Sequence, residues 1–389
     1  MAKENYIVIQ QRLKIVQACL SETSSISDIC NTYGISRKTA YKWIERFLEL
    51  GEAGLETLSN SPHNPHSKYT KEQVSKALDL KSKYRNWGPK KIIIKLQELY
   101  PDETWFSHTR LYEIFKDHNL TKSRRIRHKV PGTGPLEDVT TSNDTWAVDI
   151  KGWFLTHDQS KCEPLTITDT HSRYLIVCKH MQSHSADCVW SIFDRAFREY
   201  GLPNRVRSDN GPPFGSVGAG RLTALSVNLI KAGVVPEWIR PGHPEENGRH
   251  ERFHLTLQQE IASPPEKTLA AQIRAMNEFK DIYNFERPHE ALNMKTPGSC
   301  YRKSSRSWNG LLKAPEYDSR EFEVRKVCSS GCIWLSGQEY YIGQAVSGEY
   351  VGLRYNESED VELHYGPIYL GIINNKGFEK PKLPKRRRR

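Results

Sequence analysis

The sequence predicts a multidomain chain with an all-α N-terminal part, an α/β core and a small C-terminal β unit. Three observations carry that expectation. Apolar residues recur at helical spacing through the first third of the chain. From Asn143 onward, short β-branched runs alternate with helical patterns, the texture of an α/β layer fold. From about residue 322, aromatic and β-branched runs such as Cys332–Leu335 and Glu339–Ile342 are punctuated by Gly and Asn, which fits a small barrel or sandwich. A length of 389 residues suits two to four such domains.

Composition narrows the partners. The net charge of +11 suits a polyanion, most simply nucleic acid. The eight cysteines are scattered without an even framework and read as reduced thiols. Cys328 and Cys332 are the nearest pair, with no His-Cys set at zinc-finger spacing around them. The opening Met1–Tyr6 lacks the apolar stretch of a signal peptide, and no run approaches the ~20 apolar residues of a membrane span. The expected location is cytoplasmic, with no membrane partner.

Residues 1–53 read as a helix-turn-helix DNA-binding domain. Ile7, Leu13, Val16 and Leu20 give partial helical periodicity, Gly34 offers the tight turn, and Ser36 the N-cap of the next helix. In that helix Ala40, Ile44, Phe47 and Leu48 are expected inside. Arg37, Lys38, Thr39 and Lys42 are expected outside, where a recognition helix meets the major groove. Residues 54–68, with Pro62 and Pro65, form a linker. Residues 69–121 read as a second helix-turn-helix domain. Pro89 opens one helix, and Ser107 caps a last helix bearing Arg110 and Lys116. The basic linker 122–139 places Arg124, Arg125 and Arg127 to track phosphates.

The core, 140–305, is expected to hold strands near 145–154, 165–168, 174–179 and 205–207. Its helices are expected near 185–200, 221–231, 245–261 and 268–285. The β unit, 318–376, is expected to form a small barrel, and 377–389 a disordered basic tail.

Three acids in this core invite chemistry. Asp149 lies in the strand-like run Thr145–Ile150, where alternation puts Ala147, Asp149 and Lys151 on one face. A carboxylate among apolar strand residues is costly unless paired or metal-bound. Asp209 ends a strand and meets the turn at Asn210-Gly211, and Glu251 lies in the first turns of a helix. Three carboxylates on separate elements can converge on hard cations and drive phosphodiester chemistry. Among rival acids, Asp169 reads as a turn-former, while Glu245 and Glu246 sit where the helix dipole favours any acid. Asn247, His254 and Gln258 share the helical face of Glu251 and are candidate DNA contacts. The Gly-rich run 211–220 reads as a mobile loop, and Arg287-Pro288-His289 as a packing element.

Four motifs resemble the DDE transposase and retroviral integrase superfamily, and most of all bacterial insertion-sequence transposases with an integrase-type core. They are Trp146-Ala147-Val148-Asp149, Ser208-Asp209-Asn210-Gly211, Asn247-Gly248-Arg249-His250-Glu251-Arg252-Phe253 and Tyr283–Leu292 with Thr296-Pro297. They stand in the family's order over about 138–302. The resemblance implies an RNase H-like core with a mixed five-stranded sheet. It implies that Asp149, Asp209 and Glu251 bind two Mg²⁺ ions (Mn²⁺ able to substitute), cut transposon ends and join them to target DNA. Its implied partners are double-stranded DNA, at the inverted ends and at the target, and further copies of the chain on paired ends. A bacterial host would place the chain at the nucleoid. Two other readings stay open: a domesticated DNA-binding regulator, and an RNase H-like nuclease without strand transfer.

Overall fold

The computed structural model describes residues 2–21, 24–57, 69–121, 139–240, 243, 246, 248–358 and 360–381, with side chains from Ile7 onward. Four expected DNA contacts, Arg124, Arg125, Arg127 and Asn247, lie outside these residues, as do most of both linkers and 382–389. The chain divides into two compact units, Met1–Lys68 and Tyr69–Arg389.

The first unit holds α1 (Ala2–Leu20), α2 (Ile26–Tyr33) and α3 (Arg37–Leu50). Ser25 caps α2 by accepting from the Asp28 N–H, and Gly34 ends it with a left-handed φ of 63°. Ser36 then caps α3 through the Thr39 N–H. Ile15, Cys19, Ile29, Cys30 and Ala40 form the core between the three helices. The inward stripe of α3 runs Ala40, Trp43, Ile44, Phe47. Leu48, expected inside, is 69% exposed because it falls one position past that stripe, and Trp43 takes the inward place. Ile7 and Leu20 are likewise exposed, and α1 is buried through Leu13, Ile15, Val16 and Cys19.

The second unit opens with α4 (Lys71–Lys83), α5 (Pro89–Leu99) and α6 (His108–Asp117). Thr70 and Gln73 form a reciprocal capping box, Pro89 sits at the first turn of α5, and Ser107 caps α6. Trp87, Ile92, Leu96, Leu111 and Phe115 pack at their centre.

The core sheet uses β1 (Thr145–Ile150), β4 (Pro164–Asp169), β5 (Leu175–His180), β6 (Arg205–Ser208) and β7 (Val235–Trp238). β2 (Phe154–Leu155) and β3 (Lys161–Cys162) form a separate hairpin. The order is β5-β4-β1-β6-β7, with β5, β4 and β1 antiparallel and β1, β6 and β7 parallel. The sheet is therefore mixed and five-stranded. β7 was hidden in the sequence because its run Val235-Pro236-Glu237-Trp238 has no alternation. Its edge position tolerates the proline.

One face of the sheet, with Trp146, Val148, Leu165 and Ile167, packs on α7 (Ala186–Tyr200) and α8 (Ala224–Lys231) through Phe193, Phe197, Leu225 and Leu229. α9 (Gly248–Leu257) and α10 (Leu269–Asp281) build a second core around Phe253, Leu257, Met276, Phe279 and Tyr283, which reaches Leu175 and Cys178 of β5. Both helices end in wide π turns, Gln258–Ala262 and Ile282–Glu286. The α4–α6 bundle meets the core at these two turns. Asn86 Nδ2 donates to the Gln259 carbonyl at 2.8 Å, Tyr84 donates to the Glu286 carboxylate, and the Arg287 guanidinium stands 5.9 Å over the Trp87 ring.

After the short α11 (Pro297–Cys300) come β8 (Glu323–Lys326), β9 (Cys332–Leu335), β10 (Gln338–Tyr341), β11 (Tyr350–Tyr355), β12 (Val361–Tyr365), β13 (Ile368–Asn374) and β14 (Gly377–Glu379). Five strands form an antiparallel sheet in the order β14-β13-β12-β11-β8, while β9 and β10 pair only with each other. Among the described residues β8 and β14 remain edges, so the expected barrel is an open sheet plus a hairpin. β14 also occupies the start of the stretch expected to be a disordered tail, because residues 377–379 find a partner in β13. The unit shares a core with the α/β layer: Ala219, Leu222, Val227 and Ile230 pack with Val351, Leu363, Tyr365 and Leu370.

Candidate active site

The three acids occupy related places. β1 and β6 pair in parallel with Thr145 opposite Arg205, Trp146 opposite Val206 and Ala147 opposite Arg207. The pairing ends at Ala147 and Arg207, so Asp149 and Asp209 each lie two residues beyond it, toward the C-terminal ends of strands about 5 Å apart. The Asp149 side chain keeps 21% exposure. Asp209 is the first residue past β6, and its Oδ1 accepts the Gly211 N–H at 3.2 Å, so the Asn210-Gly211 turn orients the carboxylate.

Glu251 is exposed in the first turn of α9, and two buried histidines on either side of it fasten this helix to the sheet. The Thr166 hydroxyl lies 2.7 Å from His250 Nε2 and 2.8 Å from His254 Nε2, and donates to the Asp149 carbonyl at 3.1 Å. Having spent its only proton, that oxygen can accept from both imidazoles, which assigns both as Nε2–H tautomers. His250 Nδ1 then accepts from the Thr168 hydroxyl at 3.3 Å. The unprotonated Nδ1 of His254 faces Asp149 Oδ2 at 3.8 Å. Burial holds both rings neutral: it pushes His250 well below the usual range, and His254 down to about 3 with Lys151 assisting. Glu251 and His254 are three residues apart on one helical face, so the third acid lies one turn from the imidazole that faces Asp149.

His254 was expected at the DNA surface. It is instead 9% exposed and hydrogen-bonded inward, because its face of α9 covers the Thr166 side of the sheet. Gln258 is exposed at the start of the π turn. Arg37, Lys38 and Lys42 are exposed on α3, while Thr39 is half-buried with its hydroxyl 2.8 Å from that of the Ser36 cap. Arg110 is exposed and paired with Glu113 at 3.0 Å.

Of the rival acids, Asp169 and Glu246 are engaged elsewhere, and Glu245 lies outside the described residues. Asp169 is fully buried and accepts from the N–H of Asn143 and of Ser172, both at 2.8 Å, the turn role expected of it. Glu246 accepts the Arg240 N–H at 2.8 Å and pairs with its guanidinium. The loop after Asp209, expected to be mobile, is tied down. Ser216 Oγ donates to the Leu222 carbonyl at 2.7 Å, Phe214 is buried, and Gly220 (φ 56°) lies so close to Ile368 and Leu370 that a Cβ would collide with them at 2.8 Å. Sequence reasoning missed His250 and Thr166. The four-residue spacing of His250 and His254 on an amphipathic helix was the available signal.

Carboxylate oxygens suit Mg²⁺ in kind, and the neutral imidazole adds no positive charge, but among the described residues the three acids do not draw together closely enough to form a ligand set as they stand.

Comparison with known proteins gives this arrangement its class. Residues 139–244 and 232–297 match models of an integrase core domain, and residues 12–75 match a winged helix-turn helix. The chain thus carries an integrase core domain behind a helix-turn-helix, and its resemblance to the transposase and retroviral integrase superfamily holds through that core. It is similar to insertion-element proteins. It is 26% identical over 234 residues to the uncharacterized 31.7 kDa protein of insertion element IS407 from Burkholderia multivorans, covering 59% of this chain and 80% of that one. It is 26% identical over 233 residues to the uncharacterized 39.2 kDa protein of IS476 from Xanthomonas euvesicatoria, covering 59% and 64%. Solved structures similar to it include the simian T-cell lymphotropic virus intasome with PP2A regulatory subunit B56 gamma. That match has 14% identity, TM-score 0.38, and coverage of 79% of this chain and 100% of that one. Another is the HTLV-2 integrase catalytic core domain with magnesium, with 17% identity, TM-score 0.31, and coverage of 42% and 98%. No helix among the described residues is long and apolar enough to cross a membrane.

Proposed function

We propose that this chain is a DNA transposase that binds the inverted ends of its element, cleaves there and joins the ends to target DNA. What supports the reading best is the parallel pairing of β1 with β6, from which Asp149 and Asp209 both emerge, together with Glu251 on α9, the helix that His250 and His254 fasten to Thr166 of β4. Asp149 would be shared between two Mg²⁺ ions, with Asp209 on one and Glu251 on the other. Bound there, the ions supply activation of the attacking oxygen, from water or a DNA 3′-hydroxyl, and stabilisation of the leaving oxygen. The chain's own part is orientation. Thr166 holds the Asp149 backbone and both α9 histidines, and the Gly211 N–H holds Asp209. The exposed cations of α3 read the ends, with Arg110, Arg124, Arg125, Arg127, Asn247 and Gln258 as further contacts. Two ends must be joined together, so the working form is a dimer or larger assembly.

The test is strand transfer of a labelled end duplex into a plasmid with Asp149→Asn. The variant is expected to bind ends as wild type does and to join none. Joining at the wild-type rate would sink the assignment of Asp149. Metal-dependent cutting without joining by the wild type would replace transposase with nuclease. End binding with neither activity would leave a DNA-binding regulator.

A further inference from the structure

We propose that the C-terminal β unit carries a Zn²⁺ site formed by Cys328, Cys332 and Glu339, separate from the three acids of the core. One ligand atom from each, two Sγ and a carboxylate oxygen, lie within 4.8 Å of one another. Tetrahedral Zn²⁺ with Zn–S near 2.3 Å and Zn–O near 2.1 Å needs donors about 3.5–4 Å apart, so closing on the ion takes at most about 1 Å of side-chain movement.

The site is built by a hairpin and the turn before it. In the β9–β10 register Cys332 lies opposite Tyr341, and Trp334 opposite Glu339. Alternation therefore puts Cys332 and Glu339 on one face, with Ile333 and Leu335 buried on the other. Cys328 is brought back to that face by a tight turn. Its N–H donates to the Cys332 carbonyl at 2.8 Å, and its carbonyl accepts from Gly331 at 3.0 Å. Gly331 takes a φ of 80° there, and a Cβ would meet the Gly343 backbone at 2.9 Å.

The Cys328 sulfur already has polar support. It accepts the Cys332 N–H at 3.3 Å and lies 2.9 Å from the Ser330 hydroxyl. Those contacts are the outer support that metal-bound sulfur uses. Two sulfurs exclude Mg²⁺ and Ca²⁺, and the carboxylate disfavours Cu⁺, whereas Zn²⁺ accepts both donor types. Water would complete the four ligands, and binding would release the two thiol protons. The ion would tie the turn after β8 to β10, in a hairpin whose strands pair only with each other. Local spacing conceals the site, because the third ligand comes from across the hairpin.

The full-length chain, reduced and stripped of metal, would be titrated with Co²⁺ as a spectroscopic stand-in and then with Zn²⁺. One equivalent of Co²⁺ should give sulfur-to-cobalt charge-transfer and tetrahedral ligand-field absorption, and Zn²⁺ should displace it. Cys332 is buried, so the variants are placed at half-buried Cys328 and exposed Glu339. Cys328→Ser should weaken Zn²⁺ binding about 100-fold and lose much of the sulfur band. Glu339→Gln should weaken it about 10-fold and keep the band. Asp149→Asn should leave the spectrum unchanged, since carboxylate oxygens give no sulfur band. A folded, reduced chain without the charge-transfer band, or equal Zn²⁺ affinity in Cys328→Ser, would overturn the site.

Discussion

The junction between the α4–α6 bundle and the core turns on Arg287, and its removal should be costly. Arg287 Nη1 donates to Glu260 Oε1 at 2.6 Å, with the two side chains only 11% and 18% exposed. The same guanidinium stands over Trp87. Arg287→Ala deletes a charged hydrogen bond, a cation–π contact and part of a packed surface, and it leaves the Glu260 carboxylate buried against the Asn86 turn. Breaking a buried pair by removing one partner costs about 3–5 kcal/mol. Residual exposure lets water reach Glu260, which brings the expectation to about 2–4 kcal/mol. Glu260→Gln alone, and both changes together, complete a double-mutant cycle with an expected coupling of about 1–3 kcal/mol. The assay is urea unfolding followed by tryptophan fluorescence, read on the transition of the second unit, because a multidomain chain need not unfold in one step. An Arg287→Ala chain within about 0.5 kcal/mol of wild type, with no coupling to Glu260, would refute the idea that this pair holds bundle to core.

Other consequences follow from the same geometry. Thr166→Val strands two buried imidazole N–H groups, while the Asp149 carbonyl keeps its β1–β4 ladder bond. Strand transfer should fall at least about 10-fold and stability by about 2–4 kcal/mol, with end binding kept; full activity would contradict the positioning role. Burial, with Arg287 nearby, pushes the Lys91 ammonium from 10.5 down to about 7. The unfolded chain therefore binds more protons between those values. The stability cost of this group is complete below about pH 7 and fades as pH rises toward 10.5. Lys91→Met should stabilise the second unit by about 1–2 kcal/mol at pH 6 and flatten the rise of stability between pH 7 and 9; an unchanged pH slope would contradict this. Deleting residues 1–68, which form their own compact unit, should abolish the footprint on the inverted ends, and an unaltered footprint would remove the α3 reading.

The local chemistry of elements was largely written in the sequence, whereas pairings across it were not. Gly34, Ser36, Pro89 and Ser107 mark helix ends because caps and turns depend on neighbours three or four residues away. The two strand-end acids could be found because each sits beside its own strand or turn signal. β7 and the open β sheet depend on which strand lies alongside, which no short run of residues encodes. The inward turn of His254 was hidden for the same reason. Its helical face was readable, but Thr166, 88 residues earlier in the chain, decides what that face touches.

The most direct measurement is joining of a labelled end duplex to plasmid DNA by the purified chain, in Mg²⁺ and in EDTA, for wild type and Glu251→Gln. The account predicts products only for wild type in Mg²⁺, with a loss of at least about 1000-fold for Glu251→Gln and unchanged end binding. Mg²⁺-dependent joining by Glu251→Gln at the wild-type rate would contradict it.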